Sequence, residues 1–317
     1  MIRYGILSTA SIVDRFVAGV RESKDGYVQA IASRTIEKAK EAAKRLNIET
    51  YYGSYEELFC DDNIDVIYIP TVNGFHYRDC QNALLHHKHV VMEKPFVLTE
   101  NQAKELFDLA KQQNCFLMEA QKSVFLPTTQ KVKELIEDGQ IGQVKYIEYK
   151  AGFPGRFDYD HWMYNLDLGG GALYGSATYT IEYLQYLFNQ PHIEIDGTCL
   201  KCPTGADEIC NFQLKVNHDI LVSSTIAMNV ELKNEAVFYG DDGYIVVPYF
   251  WKSKGLELHK KDGTVEYLSY PYTSEFVYEI EHIHQCLKNN LLQSPIMNQD
   301  KTIETCYLVE KLYKKWY

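Results

Sequence analysis

The chain has 317 residues, room for two domains at the usual size of roughly 100–200 residues each. Apolar residues make up 46 % and charged residues 24 %, the balance of a folded globular chain, which excludes wholesale disorder and collagen-like repeats. A net charge of −11 opposes binding along a phosphate backbone, so no nucleic-acid partner is expected, and no apolar run reaches the roughly 18–20 residues of a membrane helix.

The first third alternates strands with helices. Ile2–Leu7 reads as a brief buried strand running into the small-residue turn Ser8-Thr9-Ala10-Ser11. Asp14 and Arg15 follow closely, which makes a poor secretory signal and a good first strand. Ile12, Phe16 and Val20, spaced by four, predict a helix with one apolar face. Residues 27–32 form a second strand. Ala39, Ala42, Ala43 and Leu46 then give the stripe of a packed helix. Ser54 with Glu57, and Thr99 with Gln102, have the spacing of capping boxes. Strands are expected at 64–69, at 89–92 and at 115–118, with a helix near 77–87. This alternation predicts a doubly wound parallel sheet covered on both faces, an α/β Rossmann-type domain over 1–120. Ligands of such sheets bind beyond the carboxyl ends of the strands, so the informative loops are 8–11, 33–35, 70–75 and 93–96.

After about residue 120 the pattern changes. A helix over 128–138 is followed by alternating segments at 143–151, Ile193–Lys201, 208–216, 220–228, 236–239 and 244–247. Turns are marked by Asn217-His218-Asp219, Asp241-Asp242-Gly243 and Lys261-Asp262-Gly263. Two helices, near 275–289 and 301–315, complete the chain. Strands that follow one another predict an α+β domain with an open, mostly antiparallel sheet over 121–317.

Eight scattered cysteines in a chain of this size fit reduced thiols and a cytoplasmic setting better than a disulfide framework. The one CxxC, Cys199-Leu200-Lys201-Cys202, has no second pair, and strand alternation would turn its thiols to opposite faces. His86-His87-Lys88-His89 reads as a polar helix end before a strand. No metal site is expected.

Four features carry chemistry. In the first turn, Ser8, Ala10 and Val13 occupy the positions of the dinucleotide fingerprint G-x-G-x-x-G, with side chains small enough at 8 and 10 for backbone to approach a phosphate. The second strand ends in Ala32-Ser33-Arg34-Thr35, with no acid for a ribose 2′-hydroxyl. Ser33 and Arg34 suit a 2′-phosphate, which favours NADP over NAD. Glu93-Lys94-Pro95 follows the fifth strand, and the proline restricts the lysine backbone so that its ammonium can be aimed at a substrate oxygen. The run Gly169-Gly170-Gly171 opens a helix on which residues 175 and 179 share a face. The bland reading of that run is that the glycines permit close packing and Tyr179 is core.

Taken in order, these stretches resemble the Gfo/Idh/MocA oxidoreductases. The carrying residues are Tyr4-Gly5-Ile6-Leu7-Ser8-Thr9-Ala10, Ala32-Ser33-Arg34, Tyr55-Glu56-Glu57-Leu58, Asp65-Val66-Ile67-Tyr68-Ile69-Pro70 with Asn73 and His76, His89-Val90-Val91-Met92-Glu93-Lys94-Pro95, and the Gly169 run. The wording is similar to the branch with dimeric dihydrodiol dehydrogenase and NADP-linked xylose dehydrogenase. The resemblance implies hydride transfer between a nicotinamide and a sugar, polyol or related hydroxy or carbonyl compound. It implies Lys94 and Tyr179 as the proton-handling pair, and cofactor contacts from Ser8, Thr9, Ala10, Ser11, Ile12, Ser33, Arg34, Pro70, Thr71, Asn73, His76, Glu93 and Lys94. It also implies a homodimer, or a higher homo-oligomer, formed through the second domain's sheet. Arg156 is a further candidate for substrate binding beside Lys94 and Tyr179.

Two departures stand out. Many members carry Asp four residues before the catalytic His or Tyr, where this chain has Gly175. Either Tyr179 and Lys94 suffice, or Asp158, Asp160, His161 or Asp167 replaces the acid, or the chain is a non-catalytic relative that senses nucleotide or sugar. The second departure is Gln121-Lys122-Ser123-Val124, where relatives carry aromatic and basic residues near the substrate.

Overall fold

The computed structural model describes residues 1–155 and 158–317. They form two compact units, Met1–Gln121 with Thr273–Cys306, and Lys122–Tyr272 with Tyr307–Tyr317.

The first unit runs β1 (Ile2–Leu7), α1 (Val13–Glu22), β2 (Gly26–Ala32), α2 (Ile36–Leu46), β3 (Thr50–Tyr52), α3 (Tyr55–Phe59), β4 (Val66–Ile69), α4 (His76–Leu85), β5 (His89–Glu93), α5 (Glu100–Gln112) and β6 (Leu117–Ala120). Its six strands are all parallel, in the order β3-β2-β1-β4-β5-β6. After β3 at one edge the chain returns to pair β4 with β1, so the loops after β1 and β4 leave neighbouring strands in opposite directions, where such sheets bind ligands. The strands are near-continuous apolar runs because both faces are covered: β4 and β6 are buried throughout. The fully buried Tyr68 ring stacks on Phe16 of α1 at 3.7 Å.

The second unit begins with a 3-10 turn (Lys122–Phe125) and continues with α6 (Pro127–Glu137), β7 (Val144–Gly152), α7 (Ala172–Leu187), β8 (Ile193–Lys201), β9 (Asp207–Val216), β10 (Ile220–Ala227), β11 (Glu235–Gly240), β12 (Gly243–Pro248), β13 (Gly255–Lys260) and β14 (Val265–Ser269). Its eight strands lie in the order β14-β13-β12-β11-β7-β10-β9-β8, with β7 and β10 the one parallel pair. One sheet face is apolar and packs under α7, through Phe212, Leu214, Val222 and Tyr149; the other presents Leu221, Tyr146 and Tyr239 outward.

Two helices end the chain, α8 (Val277–Lys288) and α9 (Gln299–Trp316). The expectation that everything from residue 121 belongs to the second domain needs correction, because 273–306 belongs to the first unit. The cause is local. Phe276 meets Phe16 edge-on at 5.9 Å, Ser274 N donates to Glu22 Oε2 at 3.0 Å, Ser274 Oγ donates to Arg15 O at 2.9 Å, and Glu275 pairs with Arg15. Gly19 of α1 allows this approach, since a Cβ there would press on Phe276.

Three strands were not expected: β3, too short to show alternation, and the pair β13–β14, of which only the connecting turn Lys261-Asp262-Gly263 is marked in the sequence. The strand expected at 115–118 lies two residues later, at Leu117–Ala120. All eight cysteines are free thiols, and Cys202 lies just past the end of β8 instead of within it. No helix among the described residues is long and apolar enough to cross a membrane.

Candidate active site

The loop after β1 is shaped around Ser8. Its φ is +125°, a backbone region that L side chains rarely adopt, which is the physical demand behind a glycine at this position of dinucleotide turns. Ser8 Oγ accepts from Ala10 N at 3.1 Å and so stabilises the turn from within. α1 starts beyond Ile12 with no side-chain cap, leaving Thr9, Ser11 and Ile12 beside amides and a positive dipole end suited to a phosphate.

The end of β2 carries the next candidate residues. Ser33 is buried at the end of β2, and Arg34 is exposed with no ion pair among the described residues. Thr35 caps α2 without a side-chain hydrogen bond. No acid stands at the end of β2; the nearest in sequence, Glu37, lies in the first turn of α2 and is exposed. Tyr55, whose phenol is pushed up chiefly by burial, lies within reach of the Arg34 charge.

The loops after β4 and β5 are tied together by His76. Its ring is fully buried, with Nδ1 2.8 Å from Pro95 O and Nε2 3.0 Å from Thr71 O, and burial holds its pKa below the ordinary value. A neutral imidazole has one N–H, so His76 donates to one of these two carbonyls at a time while its ring packs against both loops. Beside it Pro70 and Asn73 are buried, and Thr71 Oγ1 is a buried hydroxyl with no hydrogen-bond partner among the described residues. Glu93 is anchored from below, its Oε1 accepting from Tyr68 Oη at 2.6 Å. Lys94 follows, half-buried and joined to Pro95 by a cis peptide bond. A glycine-like turn, an uncapped helix start, an orphaned hydroxyl and an unpaired arginine together fit a nicotinamide dinucleotide.

Tyr179 lies in the second unit, on α7. Gly170 and Gly171 open that helix because nothing larger fits: a Cβ at 170 would strike Met163 O, and one at 171, where φ is +108°, would strike the Asp207 carboxylate. The packing reading of this glycine run therefore holds for Gly170 and Gly171. Asp207 Oδ2 in turn accepts from Leu173 N at 2.7 Å and Oδ1 accepts from Tyr317 Oη at 3.2 Å, while burial pushes its carboxyl up to about 6. Gly175 is different. A Cβ there would meet nothing within 4 Å, so the helix face one turn before Tyr179 opens on empty space. Tyr179 is 7 % exposed, lies 6.3 Å from Trp251, and its Oη accepts from Lys122 Nζ at 2.6 Å. That lysine comes from the segment whose departure from the family wording was visible in the sequence; its pairing was not, because 57 residues separate the partners.

Of the alternative acids, Asp158, Asp160 and Asp167 are exposed, and His161 Nδ1 accepts from Met163 N at 3.3 Å. Arg156 lies outside the described residues. One trio with metal-ligand chemistry, Glu56, Cys60 and His86, lies at the surface with its ligand atoms within 4.8 Å of one another; His86 Nε2 there is 3.1 Å from Glu56 Oε1.

Comparison with known proteins places this geometry. Residues 2–121 match the family model of the Gfo/Idh/MocA oxidoreductases, NAD-binding Rossmann fold, and residues 129–246 match the Gfo/Idh/MocA C-terminal domain. The chain is 33 % identical over 314 residues to trans-1,2-dihydrobenzene-1,2-diol dehydrogenase of Xenopus laevis, covering 93 % of this chain and 92 % of that one. It is 26 % identical over 323 residues to the NADP(+)-linked scyllo-inositol 2-dehydrogenase of Bacillus subtilis, covering 99 % and 97 %. The structure of a 3-ketoreductase from Actinomadura kijaniata, in complex with NADP and TDP-benzene, shares the fold with a TM-score of 0.90 at 23 % identity, covering 99 % and 97 %. The chain belongs to the Gfo/Idh/MocA oxidoreductase family, and residues 2–121 are that family's NAD-binding Rossmann fold.

Proposed function

We propose that this enzyme is an NADP-preferring dehydrogenase or reductase acting on a sugar, polyol or related hydroxy or carbonyl compound. The observation that carries the reading is the buried phenol of Tyr179 beside the empty helix face at Gly175, in a chain whose β2 ends in Ser33 and Arg34 without an acid. NADP-linked polyol oxidation in the Bacillus relative supports the cofactor and the substrate class.

When bound, the nicotinamide supplies the hydride acceptor or donor. The chain's own residues do the rest. The uncapped start of α1 and the turn at Ser8–Ile12 bind the pyrophosphate, and Arg34 with Ser33 binds the 2′-phosphate. Lys94 polarises the reacting oxygen. Tyr179 takes the hydroxyl proton during oxidation and returns it during reduction. Arg156 is retained as a candidate for binding substrate.

Lys94→Ala and Tyr179→Phe test these roles. Each is expected to lower turnover by about 10²–10⁴, the scale of losing a proton-transfer group, while NADPH affinity stays within a few-fold. Wild-type turnover in either variant removes that residue from the chemistry. Gly175 favours one rival reading, a binding protein that has lost catalysis. A Cβ at 175 meets nothing within 4 Å, and turnover that appears only in Gly175→Asp would support the rival.

A further inference from the structure

The proposed chemistry leaves Lys122 unused, yet it is one of the least accessible lysines in the chain, 3 % exposed. A lysine normally buries its stem and keeps its ammonium in water, and a buried ammonium is retained only where partners offset its desolvation. One partner here is Tyr179. The 2.6 Å distance from Nζ to Oη is that of a charge-assisted bond, and Nζ lies 5.0 Å from the ring centroid. The turn carrying Lys122 is itself pinned, since Thr129 Oγ1 donates to Ser123 O at 2.6 Å.

An ammonium donates three hydrogen bonds and accepts none. Tyr179 is therefore the acceptor in this pair, and its own proton is directed away from Lys122. A positive charge this close also favours the phenolate over the phenol. Other titratable groups lie on the elements packed around α7, among them Glu182, a fully buried carboxyl three residues after Tyr179 whose charge would oppose the phenolate. Asp207 of β9 is bonded to Leu173 N and Tyr317, and Lys133 of α6 to the carbonyls of Tyr186 and Leu187 and to Glu137. Tyr149 of β7, Cys210 of β9 and Tyr183 of α7 are fully buried, and burial pushes all three upward. Tyr174, Glu182 and Tyr186 lie on α7 itself, and Lys252 lies in the turn next to Trp251.

We propose that Lys122 is the positioning residue of the proton transfer: it holds Tyr179 as a proton acceptor during oxidation and aims the phenolic proton at the substrate oxygen during reduction. This rests on the reading of Tyr179 given above. In oxidation the substrate O–H proton passes to the Tyr179 oxygen and the C–H hydride passes with its electron pair to oxidised NADP, so the C–O bond becomes a carbonyl; reduction is the reverse. Lys122 keeps its own protons throughout.

The test uses the full chain as wild type, Lys122→Met, Lys122→Arg and Tyr179→Phe. Phenolate formation is followed by ultraviolet titration, with Tyr179→Phe subtracted to isolate one tyrosine. Tyr179 is expected to ionise at a higher pH in Lys122→Met than in the wild type, because the substitution removes the charge bonded to its oxygen. The rising limb of kcat/KM against pH for oxidation is expected to move up by about 1–3 pH units in Lys122→Met and to stay near wild type in Lys122→Arg, which keeps the charge. Superimposable titrations and profiles for wild type and Lys122→Met overturn the inference. So does an Arg variant that behaves like the Met variant. If Lys122→Met shifts the titration but Tyr179→Phe keeps full turnover, the fault lies with the proton-transfer role of Tyr179, and the catalytic purpose of the pair falls with it.

Discussion

Asp207 illustrates how one buried side chain can set the behaviour of a neighbouring helix. Its carboxylate accepts from the first turn of α7, yet burial outweighs those bonds and raises its pKa from 3.8 to about 6. An acid whose folded pKa exceeds its unfolded value binds more protons in the folded state, so this group's contribution is full below about pH 4 and is lost as pH rises through about 6. Asp207→Asn keeps an acceptor for Leu173 N and removes the titration. Urea unfolding between pH 4 and pH 7 is expected to give a wild type that loses stability relative to the Asn variant as pH rises; parallel curves would contradict this. Residues that act through their own type and neighbours were legible in the sequence. Arg34 can be singled out as a candidate in this way, because a strand end without an acid has a chemical meaning on its own. Lys122 and Asp207 cannot, since each acquires its role from a partner tens of residues away.

At the scale of elements, α7 carries glycines with opposite roles. Gly171 has positive φ and no room beside Asp207, whereas Gly175 sits in regular helix with open space around it. Gly171→Ala is expected to cost about 2–5 kcal/mol through strain and overpacking. Gly175→Ala is expected to stabilise by about 0.5–1 kcal/mol, the ordinary gain of alanine over glycine in a helix. Thermal unfolding of the two variants checks both signs. Local signals were read well where chemistry is local. The capping box at Ser54 and Glu57 has both of its bonds. At Thr99 the cap to Gln102 N forms, but the Gln102 side chain reaches Leu98 N instead of the cap residue. Strands β3, β13 and β14 escaped notice because pairing, more than alternation, defines them: Tyr267 of β14 is 74 % exposed, and no apolar face announces it.

At the scale of the molecule, chain order misled where distant segments dock. α8 packs on α1 through Phe276, Ser274 and Glu275, and nothing in its own sequence names that partner. The outward face of the second sheet carries a row in register, Leu221, Tyr146, Tyr239, Tyr244 and His259, across β10, β7, β11, β12 and β13. Its rings lie 5.8, 5.7 and 4.2 Å apart in sequence along the row. We expect this face to join two copies of the chain. Sedimentation should give a dimer for the wild type and a folded monomer for Leu221→Glu with Tyr239→Glu; a wild-type monomer would refute the interface.

Fluorescence titration with NADPH and NADH, beside Arg34→Ala, tests whether this chain is an NADP-linked oxidoreductase. NADPH is expected to bind more tightly than NADH, and Arg34→Ala to weaken NADPH binding about tenfold or more with NADH little changed, as expected for loss of one charge-assisted phosphate contact. Equal affinity for both dinucleotides, untouched by the substitution, would contradict the NADP preference, and binding of neither would contradict the claim as a whole.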